Sequence, residues 1–140
     1  MAKSALIKSS IVKKYYMALT GLFLCVFLLG HLAGNLQLIF GTSQQFNEYA
    51  LFMTTNPAVK ILSYLTYFSI LFHAVDGFLL TLQNRKARPI GYAKNNGAAN
   101  SGFASRNMAV LGTLILVFIV THMVNFWSKM HFDENMPLAV

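Results

Sequence analysis

The stretch from Tyr16 to Phe40, YMALTGLFLCVFLLGHLAGNLQLIF, contains no Lys, Arg, Asp or Glu. A membrane-crossing helix needs about 20 apolar residues, so this segment is long enough to span a bilayer. Inside it stands one ionisable residue, His31, between Gly30 and Gly34. Transfer of such a group out of water is costly, so an intramembrane histidine points to function. Two further stretches repeat the pattern, about Val59–Leu82 with His73 and about Asn107–Trp127 with His122. The expected fold class is an all-α transmembrane helix bundle with three spans, at about 16–40, 59–82 and 107–127. Residues 1–140 form a single membrane domain on this reading. Three spans with one histidine each direct attention to a metal or haem held between membrane helices.

The chain is 56% hydrophobic and 11% charged, against about 25% charged in an ordinary soluble domain. Its net charge of +7 does not indicate nucleic acid, because the basic residues sit in short blocks beside the apolar spans. Lys3, Lys8, Lys13 and Lys14 precede the first span, and Arg85, Lys86, Arg88, Lys94 and Arg106 lie between the second and third. The loop 41–58 has no Lys or Arg and one acid, Glu48. By the positive-inside rule, the N-terminus and loop 83–107 are cytoplasmic, whereas loop 41–58 and the C-terminus are outside. Tyr15, Tyr16 and Trp127 fall where interfacial aromatics belong. No secretory signal peptide is expected, since the first apolar run is too long and lacks a clean small-residue cleavage site.

Within loop 41–58, FNEYALFM reads as a short helix at the interface, and Asn56-Pro57 as a turn that starts the next helix. The centre of loop 83–107, NNGAANSG, reads as a small, polar, mobile connection. Cys25 is the single cysteine. It allows no internal disulfide, no CxxCH haem attachment is present, and a packing role is expected of it.

Helix rise sets the depth of each histidine. Counted from Tyr16 and Met108, His31 lies about 22 Å and His122 about 21 Å from the cytoplasmic side. His73 runs the other way and lies about 9 Å from that side of a ~30 Å core. His31 and His122 thus share a level in the outer half, which suits axial ligation of one haem iron from two helices, with His73 deeper toward the cytoplasm. Gly30 and Gly34 beside His31, and Gly77 one turn from His73, suit close approach or room for a ligand. Asn35, Asn125 and Asp76 are candidate acceptors for the free ring N–H of His31, His122 and His73; Asp76 alternatively pairs with a basic residue near the inner face. His131, beyond Trp127, reads as an interfacial residue. No Cys/His cluster has structural-zinc spacing, and no catalytic triad, phosphate loop or paired catalytic carboxylates occur.

Three segments carry a resemblance to a known family: ALTGLFLCVFLLGH (18–31), FHAVDGFLLTLQNRKARP (72–89) and ASRNMAVLGTLILVFIVTH (104–122). With them the chain resembles the di-haem, single-subunit cytochrome b membrane anchor of succinate dehydrogenase and fumarate reductase. That resemblance implies a five-helix anchor in the bacterial cytoplasmic membrane, N-terminus inside, with four haem-ligating histidines. It implies an outer haem b held by His31 and His122, and an inner haem b held by His73 and a ligand from a later helix absent here. His131 does not match that ligand, so the chain reads as a fragment or truncated product. Flavoprotein and iron–sulfur subunits would dock on the cytoplasmic face, and electrons would pass through the haems to a membrane quinone, linking the anchor to the tricarboxylic acid cycle. The basic loop, Arg106 included, would either contact haem propionates or the docked subunit, or only set topology. Glu48 reads either as a proton-exchange residue for the quinone or as a solvated loop glutamate. Two rivals from other classes stand beside this: a small transporter or channel component that uses the intramembrane histidines for protons, and a structural membrane scaffold.

Overall fold

The computed structural model describes residues 9–91, 93–94 and 96–133. Lys3 and Lys8, Asn95 of the connecting loop and the tail beyond Asp133 lie outside the described residues. Among those described, the secondary structure is helical with no strand, in keeping with the all-α class. Three segments are long and apolar enough to cross a membrane: Ile11–Phe40, Pro57–Ala87 and Met108–Phe132, with mean hydropathies of 2.0, 1.5 and 2.1. The chain is a multi-pass membrane protein.

The first segment comprises α1 (Ser10–Asn35) and α2 (Gln37–Phe40), separated by one turn residue at Leu36. Backbone bonds bridge the break, with the amides of Ile39 and Phe40 donating to the Leu36 carbonyl. Gly41 ends α2 in extended conformation. Helix α3 (Ser43–Thr55) then starts from a capping box: the Thr42 hydroxyl accepts from the Gln45 amide, and the Gln45 side chain accepts from the Thr42 amide. Each of these bonds satisfies an amide that the first turn leaves without an intrahelical partner. The expected FNEYALFM helix is therefore present but longer at both ends. Asn56 stops α3 and starts α4 (Pro57–Ala87). Its side-chain oxygen accepts from the amides of Ala58 and Val59 at 2.9 and 3.4 Å, and Pro57 sits where its missing N–H costs nothing.

The helices outrun the apolar stretches at both ends. α1 begins at Ser10, ahead of Tyr16, and α4 continues through Arg85 and Lys86 to Ala87. Lys and Arg are good helix formers, and their stems lie along apolar surface while the charge reaches water.

Loop 83–107 contains two one-turn helices, α5 (Gly97–Asn100) and α6 (Phe103–Arg106). The Ala99 amide and the Asn100 side chain tie the first by donating to the Asn96 carbonyl. The last segment runs α7 (Met108–His122), a π-helical turn π1 (Met123–Ser128) and α8 (Lys129–Phe132).

The chain divides within α4 into two compact units, one ending at His73 and the other starting at Ala74. In the first, α1 carries exposed Leu19, Leu22, Val26 and Leu29, while Thr66 and Ser69 of α4 are buried. This reverses the pattern of a water-soluble core, because lipid takes large apolar side chains and small polar ones let helices meet closely. Thr66 satisfies its hydroxyl on the Leu62 carbonyl at 2.9 Å. In the second unit, Asp76 and Leu80 are the buried residues of α4, and α7 has none, with Leu111, Ile119 and His122 half-buried and the rest exposed.

Candidate functional site

His73 is the most closely framed of the histidines. It lies on α4 in the first unit, half-buried. Its Nδ1 is 2.9 Å from the Thr20 hydroxyl of α1. The neighbouring α1 residue is Gly21, and a Cβ there would stand 3.2 Å from the ring's Cε1. Small residues at 20 and 21 thus leave a seat for the imidazole. Tyr16 meets Phe72 edge-on at 6.2 Å, and Phe68 stacks on Phe72 at 6.0 Å. Thr20 was missed from the sequence. The available signal was a hydroxyl beside a glycine in an otherwise apolar span, which marks a face for close packing.

His31 is exposed on α1, with its ring stacked on Phe27 at 5.4 Å. The two flanking glycines do different things. Nothing lies within 4 Å of a Cβ placed on Gly30, whereas Gly34 is filled over by Tyr49 of α3. The Asn35 amide donates to the backbone carbonyl of His31 at 2.7 Å. That bond uses one of its two N–H donors within the helix.

His122, in the second unit, ends α7 where π1 begins. Its ring stacks on Phe118 at 5.7 Å and tilts against Phe126 at 4.9 Å. π-helical turns are rare and occur often at functional positions. Further on, His131 stacks on Trp127 at 4.4 Å, and its Nδ1 lies 2.8 Å from the Trp127 carbonyl. A carbonyl only accepts, so that nitrogen donates.

Asp76 departs from the expectation. The ring nitrogen of His73 that was expected to meet it faces Thr20 instead. Asp76 is 7% exposed, and its Oδ2 has no hydrogen-bond partner among the described residues. Thr20 offers His73 a hydroxyl across the helix contact, whereas the Oδ2 of Asp76, three positions along the same helix, meets no hydrogen-bond partner among the described residues. Cys25, expected to pack, is exposed on α1. A thiol is a small hydrophobe that lipid accommodates as well as protein does.

Arg106 closes loop 83–107 on itself, with Nη1 donating to the carbonyls of Gly97 and Ser101. Glu48 is exposed on α3, its carboxylate accepting from Gln44 at 3.0 Å one turn earlier. A shallow cleft of about 280 Å³ lies nearby, lined by residues that include Gln37, Thr42, Phe46 and Asn47, and Glu48 does not line it. Among the described residues, no three His, Cys, Asp or Glu side chains gather where they would hold a metal ion. In comparisons with known proteins, the chain matches no family model, no curated protein and no solved structure.

Proposed function

We propose that the chain is a haem b-binding membrane anchor of a succinate dehydrogenase or fumarate reductase type complex. One observation carries the reading: each of three membrane-crossing segments bears a histidine, at positions 31, 73 and 122. An ionisable group in each apolar span is costly unless something uses it.

The residues present fit a haem. Imidazole nitrogen is a good iron donor. The rings of His31 and His122 stand on aromatic neighbours within apolar helices. On this proposal His31 and His122 hold an outer haem, and His73 contributes one ligand to an inner haem. When bound, haem supplies one-electron chemistry between iron–sulfur clusters of a docked subunit and a membrane quinone. The protein's own part is orientation and exclusion of water. Phe27, Phe118 and Phe126 limit the tilt of the His31 and His122 rings, and the apolar helices keep solvent away. Arg106 keeps guanidinium donors beyond its loop carbonyls, for propionates or for an acidic surface of the docked flavoprotein or iron–sulfur subunit. The basic blocks would place the N-terminus and loop 83–107 on the cytoplasmic side of a bacterial inner membrane.

A visible spectrum of the purified, haem-supplied protein tests this. A six-coordinate b-type signal is expected, lost in both His31→Ala and His122→Ala but kept in His73→Ala. No such signal in the parent protein, or losses that do not pair 31 with 122, would refute it. The second reading, a proton-handling transporter component, is favoured by the buried Oδ2 of Asp76, which has no hydrogen-bond partner among the described residues. That reading expects no haem spectrum and a proton flux in vesicles that Asp76→Asn abolishes.

A further inference from the structure

Thr20 Oγ1 lies 2.8 Å from the Tyr16 carbonyl, 3.2 Å from the Met17 carbonyl and 2.9 Å from His73 Nδ1. The hydroxyl has one proton to give and two lone pairs to offer. Both carbonyls can only accept. If the hydroxyl donated to Nδ1, its approach to the carbonyls would yield no hydrogen bond. If it donates to the carbonyls of its own helix, as threonine commonly does, a lone pair is left for the ring. Nδ1 then carries the proton and donates. The second arrangement makes both contacts into bonds, and at membrane depth no water compensates for a lost one.

We infer that Thr20 is a positioning residue that holds His73 in the Nδ1–H tautomer and leaves Nε2 with its lone pair outward, as a ligand-binding nitrogen. Among the described residues Thr20 is the ring's hydrogen-bond partner, so Nε2 is not committed to the protein. Gly21 fixes the ring's height along α1, since a Cβ there would press on Cε1 at 3.2 Å. A donor or acceptor on the second ring nitrogen is the usual device for fixing the tautomer and orientation of a metal-binding histidine. That the ligand of Nε2 is haem iron rests on the function proposed above; the tautomer does not.

The experiment is nitrogen NMR on the full chain, haem-free, labelled at histidine with nitrogen-15 and held in lipid nanodiscs at about pH 8, above the ordinary histidine range. The His73 signals are identified by their loss in His73→Gln. Nε2 should be the nitrogen without a proton, in the parent and in Thr20→Ser. Thr20→Val keeps the shape but removes the oxygen, and the Nε2–H form should then appear. Gly21→Ala should move the ring signals with Thr20 intact. A protonated Nε2 in the parent would overturn the inference, and so would a tautomer unmoved by Thr20→Val. The haem question is read separately, from the visible spectrum. Absence of a b-type signal with the tautomer as stated removes the haem and leaves the role of Thr20 standing.

Discussion

The hydroxyl of Tyr49 occupies the place where any side chain on Gly34 would stand. A Cβ at Gly34 would also meet Tyr49 Cζ and Cε1 at 2.6 and 2.8 Å. Gly34 is buried in α1, so the seat of α3 on α1 depends on a missing methyl group.

Gly34→Ala should therefore destabilise the protein by about 1–3 kcal/mol, the usual range for overpacking a close contact. Thermal unfolding in detergent measures it. Tyr49→Ala introduced on top should recover part of the loss, because the clash is between these two residues. Equal losses in both backgrounds would show that the pair is not the cause.

Topology is checked by labelling. Ser43 opens α3, and Asn96 precedes α5. With Cys25 replaced, a cysteine at Ser43 should react with an impermeant thiol reagent added outside intact cells. One at Asn96 should be shielded. The reverse pattern would invert the orientation drawn from the Lys and Arg blocks.

Asp76 is buried with one oxygen unpartnered among the described residues. A carboxylate at the centre of a span costs about 2.5–3.5 kcal/mol in insertion. Asp76→Leu should make α4 insert more readily by up to about 3 kcal/mol, less if the site lies off-centre. Glycosylation mapping of the isolated span reports this. A loss of stability in the assembled complex from the same change would assign the carboxyl a partner there.

Glu48 projects from α3 and holds Gln44. If it exchanges protons with a quinone, Glu48→Gln in the complete complex should sharply lower quinone-linked turnover. Haem content and succinate oxidation with a soluble acceptor should persist. Unchanged quinone-linked turnover would make it a solvated surface residue, as its exposure already favours.

What the sequence determined by itself is what depends on neighbours along the chain. The membrane segments follow from runs of apolar residues, each adding its own transfer free energy, so hydropathy alone locates them. The Asn56-Pro57 junction was legible for the same reason, since an N-cap acts on amides two and three residues away. Helix ends were less legible: Lys13, Arg85 and Lys86 lie outside the apolar runs but inside the helices. The histidines were visible as residues out of place in lipid. Their surroundings were not. Thr20 meets His73 across 53 positions, and no local pattern distinguishes that contact from one with Asp76, three residues from His73. The two glycines beside His31 looked alike, yet one faces open space and the other lies under Tyr49. Helix rotation decides such matters, because a turn of 100° per residue lets a small shift in packing exchange which side chains meet. Only the tertiary structure sets that rotation, through the seating of one helix on another.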